Sequence, residues 1–391
     1  MGDRRRGRAQ PERPAESGAF ASGGRQLLVP DHADSPRGLS VRRLGLRNFR
    51  SYERLELELA DGLVLVVGAN GSGKTNLLES VHVGTQGFSP RTRADAQLIR
   101  FDADSARVAV VVERQRSNAE VEVTIVRGEG KQARMNGAAL RATEQLRSEL
   151  PTLVFTPDRL VVVKGGPAVR RAYLDRTLSR LLPARANLPI AYGEALGQRN
   201  ACLRKIGLGL STNEALSPWD EQVLTLGASL QLVRRQAIEL LSARFADAAA
   251  VLGLDGCRLE YSGDPLTAQL LAQRLGRDLE RGTTSCGPHL DEILVCAGSR
   301  ELRSFGSQGE QRAAVLALLI AEAELLAEQA GGPPILLLDD VLSELDGGRR
   351  QALAERLAVL GQTIVTATSE STLPVEADQV VRVSEGSAKA A

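Results

Sequence analysis

Eight consecutive residues, Gly68-Ala69-Asn70-Gly71-Ser72-Gly73-Lys74-Thr75, carry the clearest chemistry in this chain. Glycines at this spacing let the backbone turn tightly and leave its N–H groups free to surround phosphate oxygens. Lys74 is expected to reach the β- and γ-phosphates of a nucleotide, and the Thr75 hydroxyl to hold Mg²⁺. Asp339 and Asp340 end an apolar run and form a second cluster. Asp339 is expected to hold Mg²⁺, directly or through water, opposite Thr75. Asp340 stands where a carboxylate acts as general base toward an attacking water. It is one methylene shorter than glutamate, so slow hydrolysis is expected; a purely structural pair of carboxylates is the alternative. The third cluster is Ser307-Gln308-Gly309-Glu310-Gln311. Ser307 and Gly309, at the entry of a long helix, offer a hydroxyl, free amides and a helix N-terminus, all suited to a γ-phosphate. The first loop already grips this nucleotide, so the second grip is expected to serve a partner subunit.

These side chains need particular elements behind them. The run Leu63-Val64-Leu65-Val66-Val67 predicts a buried strand entering the glycine loop, and Asn76-Leu77-Leu78-Glu79-Ser80-Val81 predicts a helix leaving it. Residues 41–47 predict an edge strand, and Leu55-Glu56-Leu57-Glu58-Leu59 alternates strictly, with a turn at Asp61-Gly62. Further strands are expected at 106–112 and 121–127, with a hairpin-type turn at Asn136-Gly137. From about Pro157 to Leu252 the pattern is helical. There Trp219, Val223, Leu226, Leu230, Val233, Ala237 and Leu240 alternate spacings of four and three. That is an a/d seam, suggesting a short arm packed along residues 190–206, or an ordinary core-facing helix. Strands resume at 293–295, 335–338, 361–366 and 380–383, so the nucleotide domain is expected to be discontinuous around an inserted lobe. Residues 1–40, rich in Arg, Pro, Gly and Ser, read as a disordered tail.

Composition narrows the function class. The apolar fraction is 43% and the net charge about +1, so any polyanion-binding surface must be local. Residues 158–250 hold thirteen Lys/Arg against eight Asp/Glu. Arg170, Arg171, Arg176, Arg180, Arg199, Arg204, Lys205, Arg234 and Arg235 are candidates for phosphate-backbone contact, or a solvated helical face. The four cysteines form no metal-like cluster, and reduced buried thiols in a cytoplasmic protein are expected. No stretch reaches the length of a transmembrane helix, and no membrane partner is expected.

Taken together, the glycine loop, Ser307–Gln311, Leu336-Leu337-Leu338-Asp339-Asp340 and Ser343-Glu344-Leu345-Asp346 resemble the head of the ABC/SMC ATPase superfamily, with signature motif and D-loop. Leu46-Arg47-Asn48-Phe49-Arg50-Ser51-Tyr52 resembles the opening strand of RecF, Rad50 and SMC heads. Only about 230 residues separate loop and signature, too few for a long coiled coil. Gly287-Pro288-His289-Leu290-Asp291-Glu292, Thr156-Pro157-Asp158 and Arg170-Arg171-x-Tyr173-Leu174-Asp175 are similar to the RecF family of recombination mediators. The resemblance implies an α/β, ABC/SMC-like P-loop ATPase head with an antiparallel β layer, and an inserted, mostly helical lobe bearing a short arm. The expected domains are a tail at 1–40, a head at 41–156 and 257–391, and a lobe at 157–256. It further implies an ATP- and Mg²⁺-dependent homodimer that binds duplex and gapped DNA and acts, nucleoid-associated in the cytoplasm, with RecR and RecO to load RecA. Ser307, Gly309 and Gln311 would complete the partner's site, and Asn48 and Arg50 would touch nucleotide from the opening strand. No switch histidine follows the strand ending Thr366-Ala367-Thr368, which leaves one of those threonines to sense the γ-phosphate. Gln86 and Gln97 both stand open as the Q-loop residue. His289 is expected to be a buried, hydrogen-bonded histidine without a catalytic part. The rival readings are a transporter ATPase subunit, an SMC-like DNA tether and, last, an ATPase-linked nuclease.

Overall fold

The computed structural model describes residues 38–391 apart from 115, 116, 144, 331 and 344, so most of the expected tail lies outside the described residues, as does Glu344 of the expected D-loop. The first elements described are β1 (Ser40–Phe49), β2 (Tyr52–Glu58) and β3 (Leu63–Val67), followed by α1 (Lys74–Gln86). β4 (Ser105–Arg114), β5 (Ser117–Val126), β6 (Gly130–Met135) and β7 (Ala138–Ala139) come next, then α2 (Gln145–Glu149) and β8 (Thr152–Phe155). The middle of the chain is helical: α3 (Val161–Lys164), α4 (Pro167–Leu181), α5 (Leu188–Gly207) and α6 (Ser217–Val251). After β9 (Cys257–Ser262) and α7 (Ala268–Arg281) come β10 (Glu292–Ala297), β11 (Arg300–Glu301), α8 (Leu302–Phe305) and α9 (Gln308–Ala330). The chain ends with β12 (Ile335–Leu338), α10 (Gly347–Leu357), β13 (Thr363–Ala367), β14 (Gln379–Ser384) and β15 (Ser387–Ala390).

Two six-stranded sheets sandwich α1. The antiparallel sheet runs β2-β1-β4-β5-β6-β7, and the mostly parallel one β15-β14-β3-β13-β12-β8. β3 is apolar on both faces because both are covered. Val64 and Val66 join Leu77, Leu78 and Val81 of α1 in one core, with the antiparallel sheet beyond. Leu63, Leu65 and Val67 face a second core shared with α9 and α6. Helix and antiparallel sheet approach closely at Gly84, where a Cβ would stand 2.6 Å from the Val110 side chain. Gly62, with φ of 77°, turns the chain from one sheet into the other instead of closing a hairpin.

Three expectations change. β1 is interior, paired with β2 and β4, because its alternate residues bury while its backbone bonds on both sides; β2 is the edge. The apolar run at 293–295 belongs to a separate three-stranded sheet, β11-β10-β9, and not to the nucleotide sheet. β8 and β9 were not legible as strands. The a/d seam of α6 does pack along α5, but Val223 and Leu230 share their cluster with Leu266 and Leu271 as well, so α7 also covers the arm. Farther along α6, Ala237, Leu241 and Phe245 enter the sheet's own core. Lobe and head are thereby bound by common packing.

Candidate nucleotide site

The glycine loop spans β3 and α1 in a strained path that its sequence permits. Gly71 and Gly73 have φ of 80° and 111°, values that L side chains rarely adopt. At Gly68 a Cβ would stand 2.4 Å from the Val383 carbonyl, so only glycine lets the strand end pass β14. Tyr52 donates its buried hydroxyl to Gly73 O at 3.0 Å, and Asn76 Nδ2 donates to Ser51 Oγ at 3.0 Å. The turn after β1 therefore buttresses the loop from behind. Lys74 Nζ donates to Gly68 O and Ala69 O at 2.8 and 2.9 Å, folding its charge over the loop. Ser72 Oγ is buried without a hydrogen-bond partner.

The carboxylates arrive from β12. Thr75 Oγ1 lies 3.0 Å from both Asp339 Oδ1 and Asp339 Oδ2. Thr366, fully buried on the neighbouring β13, donates to Asp339 Oδ1 at 2.8 Å and accepts the Asp340 N–H at 2.9 Å. Burial raises the Asp339 pKa above the ordinary carboxylate value, against the lowering effect of the Thr366 and Thr75 hydroxyls and of Arg91. Asp340 holds a left-handed backbone, φ 49°, and its Oδ1 is buried without a partner. Strain and an orphaned oxygen at the end of a sheet strand mark a functional position. The site fits Mg²⁺ and a polyphosphate: one hydroxyl and one carboxylate, both hard oxygen donors, already share a point, and the loop beside them offers amides and an ammonium.

The expected signature stands elsewhere on the surface. Ser307 accepts the Glu310 N–H at 3.2 Å, while Glu310 Oε2 accepts the Ser307 N–H at 2.7 Å. This is a reciprocal capping box that starts α9. The Ser307 N–H and Arg300 hold the Glu310 carboxyl below its usual range. Ser307 is exposed, and next to it Phe305 is 69% exposed. None of its hydrogen bonds reaches residues 68–75 of the same chain.

Residues 40–390 match the RecF/RecN/SMC N terminal domain family. A DNA replication and repair protein RecF of Clostridium novyi is 34% identical over 344 residues, covering 84% of this chain and 92% of that protein. One from Frankia alni is 37% identical over 363 residues, covering 86% and 96%. The chain belongs to the RecF family. A solved RecF structure, described as the recombination mediator protein RecF-ATP of the RecFOR pathway, superimposes with a TM-score of 0.79 at 28% identity, covering 92% of this chain and all of that one. An Smc head from Pyrococcus furiosus shares the fold, with a TM-score of 0.56 at 17% identity over 90% and 96% of the two chains.

Against the RecF-family expectation, the residues divide clearly. Lys74, Thr75, Asp339, Asp340 and Thr366 come together at one point. Thr366 is buried between the Asp339 carboxylate and the Asp340 backbone N–H, so it orients Asp339 and is not placed to meet a phosphate; Thr368 is exposed beyond the strand. Gln311 is a correction: it is 4% exposed and donates to Leu302 O at 2.8 Å, so it fastens the turn before α9 and does not face a nucleotide. Arg50 forms a bidentate pair with buried Glu79 at 2.9 and 2.8 Å and also donates to Gln97 O. It braces α1 against the turn after β1. Asn48 lines an outer-face trough whose walls hold no residue of the glycine loop. Gln86 is buried and bonded to Leu150 O at 2.6 Å, far along α1, whereas Gln97 is exposed beside Arg50. Ser51 and Tyr52 were missed as loop supports, although they lie within the RecF-like opening stretch.

Part of the lobe cluster is a second correction: Arg170, Arg199 and Arg234 are buried and Arg171 and Arg180 half-buried, whereas Arg176, Arg204, Lys205 and Arg235 are exposed. Arg199 is fully buried and donates to Asp220, Asp278 and Thr284 at 2.7, 2.8 and 2.8 Å. Arg234 grips Asp175 through Nε and Nη2, both at 2.8 Å. Arg170 pairs with Glu292, Arg180 with Glu322, and Arg171 donates to Asp291 O. Arg204 and Arg235 end on backbone carbonyls. The run 287–292 is the clasp for these contacts. Arg234 reaches Pro288 O, Gln231 reaches Asp291, and His289 accepts from Tyr192 at 2.8 Å while donating to Thr284 O at 3.0 Å. Burial keeps His289 neutral by lowering its pKa. Arginines on the antiparallel sheet are differently placed. Arg54, Arg47 and Arg107 stand directly across from one another on β2, β1 and β4, along a trough of about 850 Å³. Arg107 pairs with Glu122; Arg47 and Arg54 are exposed and have no ion-pair partner among the described residues.

Proposed function

We propose that this chain is an ATP-switched DNA-binding protein of recombinational repair and replication. The observation that carries the reading is the Thr75 hydroxyl 3.0 Å from both oxygens of Asp339, beside the glycine loop. Thr75 and Asp339 would hold Mg²⁺, residues 68–75 the phosphates, and Asp340 the attacking water. The bound metal supplies neutralisation of charge on the transferred phosphoryl group. Lys74 swings from the loop carbonyls to the phosphates, an exchange of one charge-assisted contact for a stronger one.

Exposed, pre-capped Ser307 with Gly309 behind it supports a composite site: the helix N-terminus of one head completes the phosphate shell of another. ATP then acts as a switch, worth its differential affinity for the closed dimer. An aspartate general base with a short reach suits slow hydrolysis and a long-lived closed state, whose opening releases DNA.

The row Arg54–Arg47–Arg107 supports the outer face of the antiparallel sheet as the DNA surface. Like charges directly opposite one another on a sheet are destabilising, and a bound polyanion would relieve that repulsion. Gapped DNA near single-strand/double-strand junctions is the proposed substrate, with RecR and RecO as partners in loading RecA. The test is sedimentation with gapped DNA, with and without ATP, for wild type, Lys74→Met and Ser307→Arg. ATP-dependent dimers on DNA, lost in both variants, are expected. Unchanged mass with ATP, and wild-type binding by both variants, would overturn the switch.

A further inference from the structure

β8 is an edge strand, and its free side opens onto a cavity. Ile335 N–H donates to Pro151 O and Asp339 N–H to Phe155 O, so the odd-numbered residues turn toward β12. Thr152 and Val154 therefore turn their N–H and C=O groups the other way. Those groups have no hydrogen-bond partner among the described residues, although both residues are 3% exposed. All five residues from Thr152 to Thr156 border a cavity of about 420 Å³ between β8, α1, α4 and α9. Buried, unpaired strand edges are rare unless something pairs them.

The same cavity is cationic. Arg159, Arg176 and Arg180 converge on it from the segment after β8 and from α4. Glu322 accepts from Arg180, Tyr173 and Thr177, so its capacity is taken up by that side. The guanidinium groups of Arg159 and Arg176 have no ion pair or hydrogen bond among the described residues. Burial first, then repulsion by Arg180 and Arg176, lowers the Arg159 pKa to about 10. Val161, Val169, Val315 and Leu319 supply apolar wall.

The two features select the occupant. A phosphate backbone offers acceptors alone and leaves the Thr152 and Val154 carbonyls unmet. Only an extended peptide presents donors and acceptors together at the two-residue repeat of a strand edge. We propose that the cavity is a docking site for an extended, acidic segment of a partner protein, which adds a strand to β8 and sets carboxylates against Arg159 and Arg176. The added strand would lie one strand away from β12, whose Asp339 is tied to Phe155, so docking is positioned to bias the metal carboxylate.

The probe is a fluorescein-labelled, end-blocked decapeptide of alternating Val and Glu, read by anisotropy on the full chain, beside its Val/Lys counterpart. Saturable binding is expected, at least about tenfold tighter than the Lys peptide. Arg159→Glu with Arg176→Glu should reverse that preference. Val154→Pro removes one free N–H and leaves the β12 ladder intact, and should weaken binding about tenfold. A Val/Glu peptide N-methylated at alternate residues makes the same test on unaltered protein. Equal binding of the two charge types, undiminished binding of the N-methylated peptide, or competition by inorganic phosphate or short duplex DNA would overturn the proposal.

Discussion

The Thr366 hydroxyl donates to Asp339 Oδ1 at 2.8 Å, and its oxygen accepts the Asp340 N–H at 2.9 Å. One side chain on β13 thus fixes the Asp339 carboxylate and the backbone of Asp340. Thr366→Val keeps the volume and removes the hydroxyl. The backbone N–H of Asp340 loses its acceptor and Asp339 gains rotational freedom. Outer-shell partners of metal ligands typically control 10- to 100-fold in affinity or activity. ATPase kcat should fall by about tenfold, with nucleotide binding in the absence of metal little changed. Steady-state kinetics and equilibrium binding of ATP without Mg²⁺ separate the two effects, and equal losses in both would remove Thr366 from this part.

Asp339 also gives a pH prediction. Its folded pKa is raised above the 3.8 of a free aspartate, mainly by burial. Between those two values the native state binds more protons than the unfolded one, so this group's contribution to stability falls as pH rises through that window. At neutral pH the buried carboxylate is a cost that the proposed Mg²⁺ would relieve. Asp339→Asn should therefore match or exceed wild type in Tm without metal at pH 7.5, and lose the Mg²⁺-dependent gain. A metal-induced Tm shift that persists in the variant would place the ion elsewhere.

His82 works in the opposite direction. Burial lowers its pKa from 6.5 to about 3, and the neutral ring donates Nδ1–H to Phe88 O at 2.8 Å. The unfolded chain binds the extra proton below pH 6.5, so stability is lost as pH falls from there. The loss from pH 7 to pH 5 comes to about 2 kcal/mol. His82→Gln should flatten that slope in urea titrations across the same range. An unchanged slope would show that the acid sensitivity comes from other groups.

The two arginine classes should separate in one experiment. Arg199→Ala leaves Asp220 and Asp278 without their partner inside the lobe, and breaking a buried pair of this kind costs about 3–5 kcal/mol. Its effect should appear in the unfolding midpoint before any in DNA binding. Arg47→Glu and Arg54→Glu should leave the midpoint unchanged or higher, since they relieve repulsion along the row. Each DNA phosphate that a variant no longer neutralises should lower the salt slope of duplex binding by about 0.9. Wild-type slopes in both sheet variants would return the DNA surface to the lobe.

What the sequence revealed, and what it withheld, follows a physical line. Residues 68–75 were legible because glycine freedom, a lysine and a threonine are needed in one local order. The helix entry at Ser307 was equally local, although its capping box with Glu310 was not read. Thr366 was misread because its part depends on β13 lying beside β12, a pairing that no short-range pattern encodes. The buried and half-buried lobe arginines were misread for the same reason: Arg199 meets Asp278 from 79 residues away and Arg180 meets Glu322 from 142. Composition reports their sign and not their partners. β8 escaped because only Leu153 and Val154 of its four residues are aliphatic, whereas β12, of the same length, is aliphatic throughout and ends in two carboxylates.

Subunit mixing gives the decisive test of the composite site. Lys74→Met disables the glycine loop of its own chain, whereas Ser307→Arg disables the phosphate grip that its chain lends to another. Each homodimer then has two defective sites. A heterodimer of the two variants places both defects in one site and leaves the other with an intact loop from one chain and an intact Ser307 from its partner. Neither variant closes a dimer with itself, so the mixed pair predominates, and its one working site of two should return at most about half of wild-type ATPase. If Ser307 served its own chain's nucleotide, every site in the mixture would carry one defect and no activity would return. Steady-state ATPase of the mixture against each variant alone distinguishes these outcomes, and the recovered activity should scale with the mole fraction of heterodimer as the mixing ratio is varied.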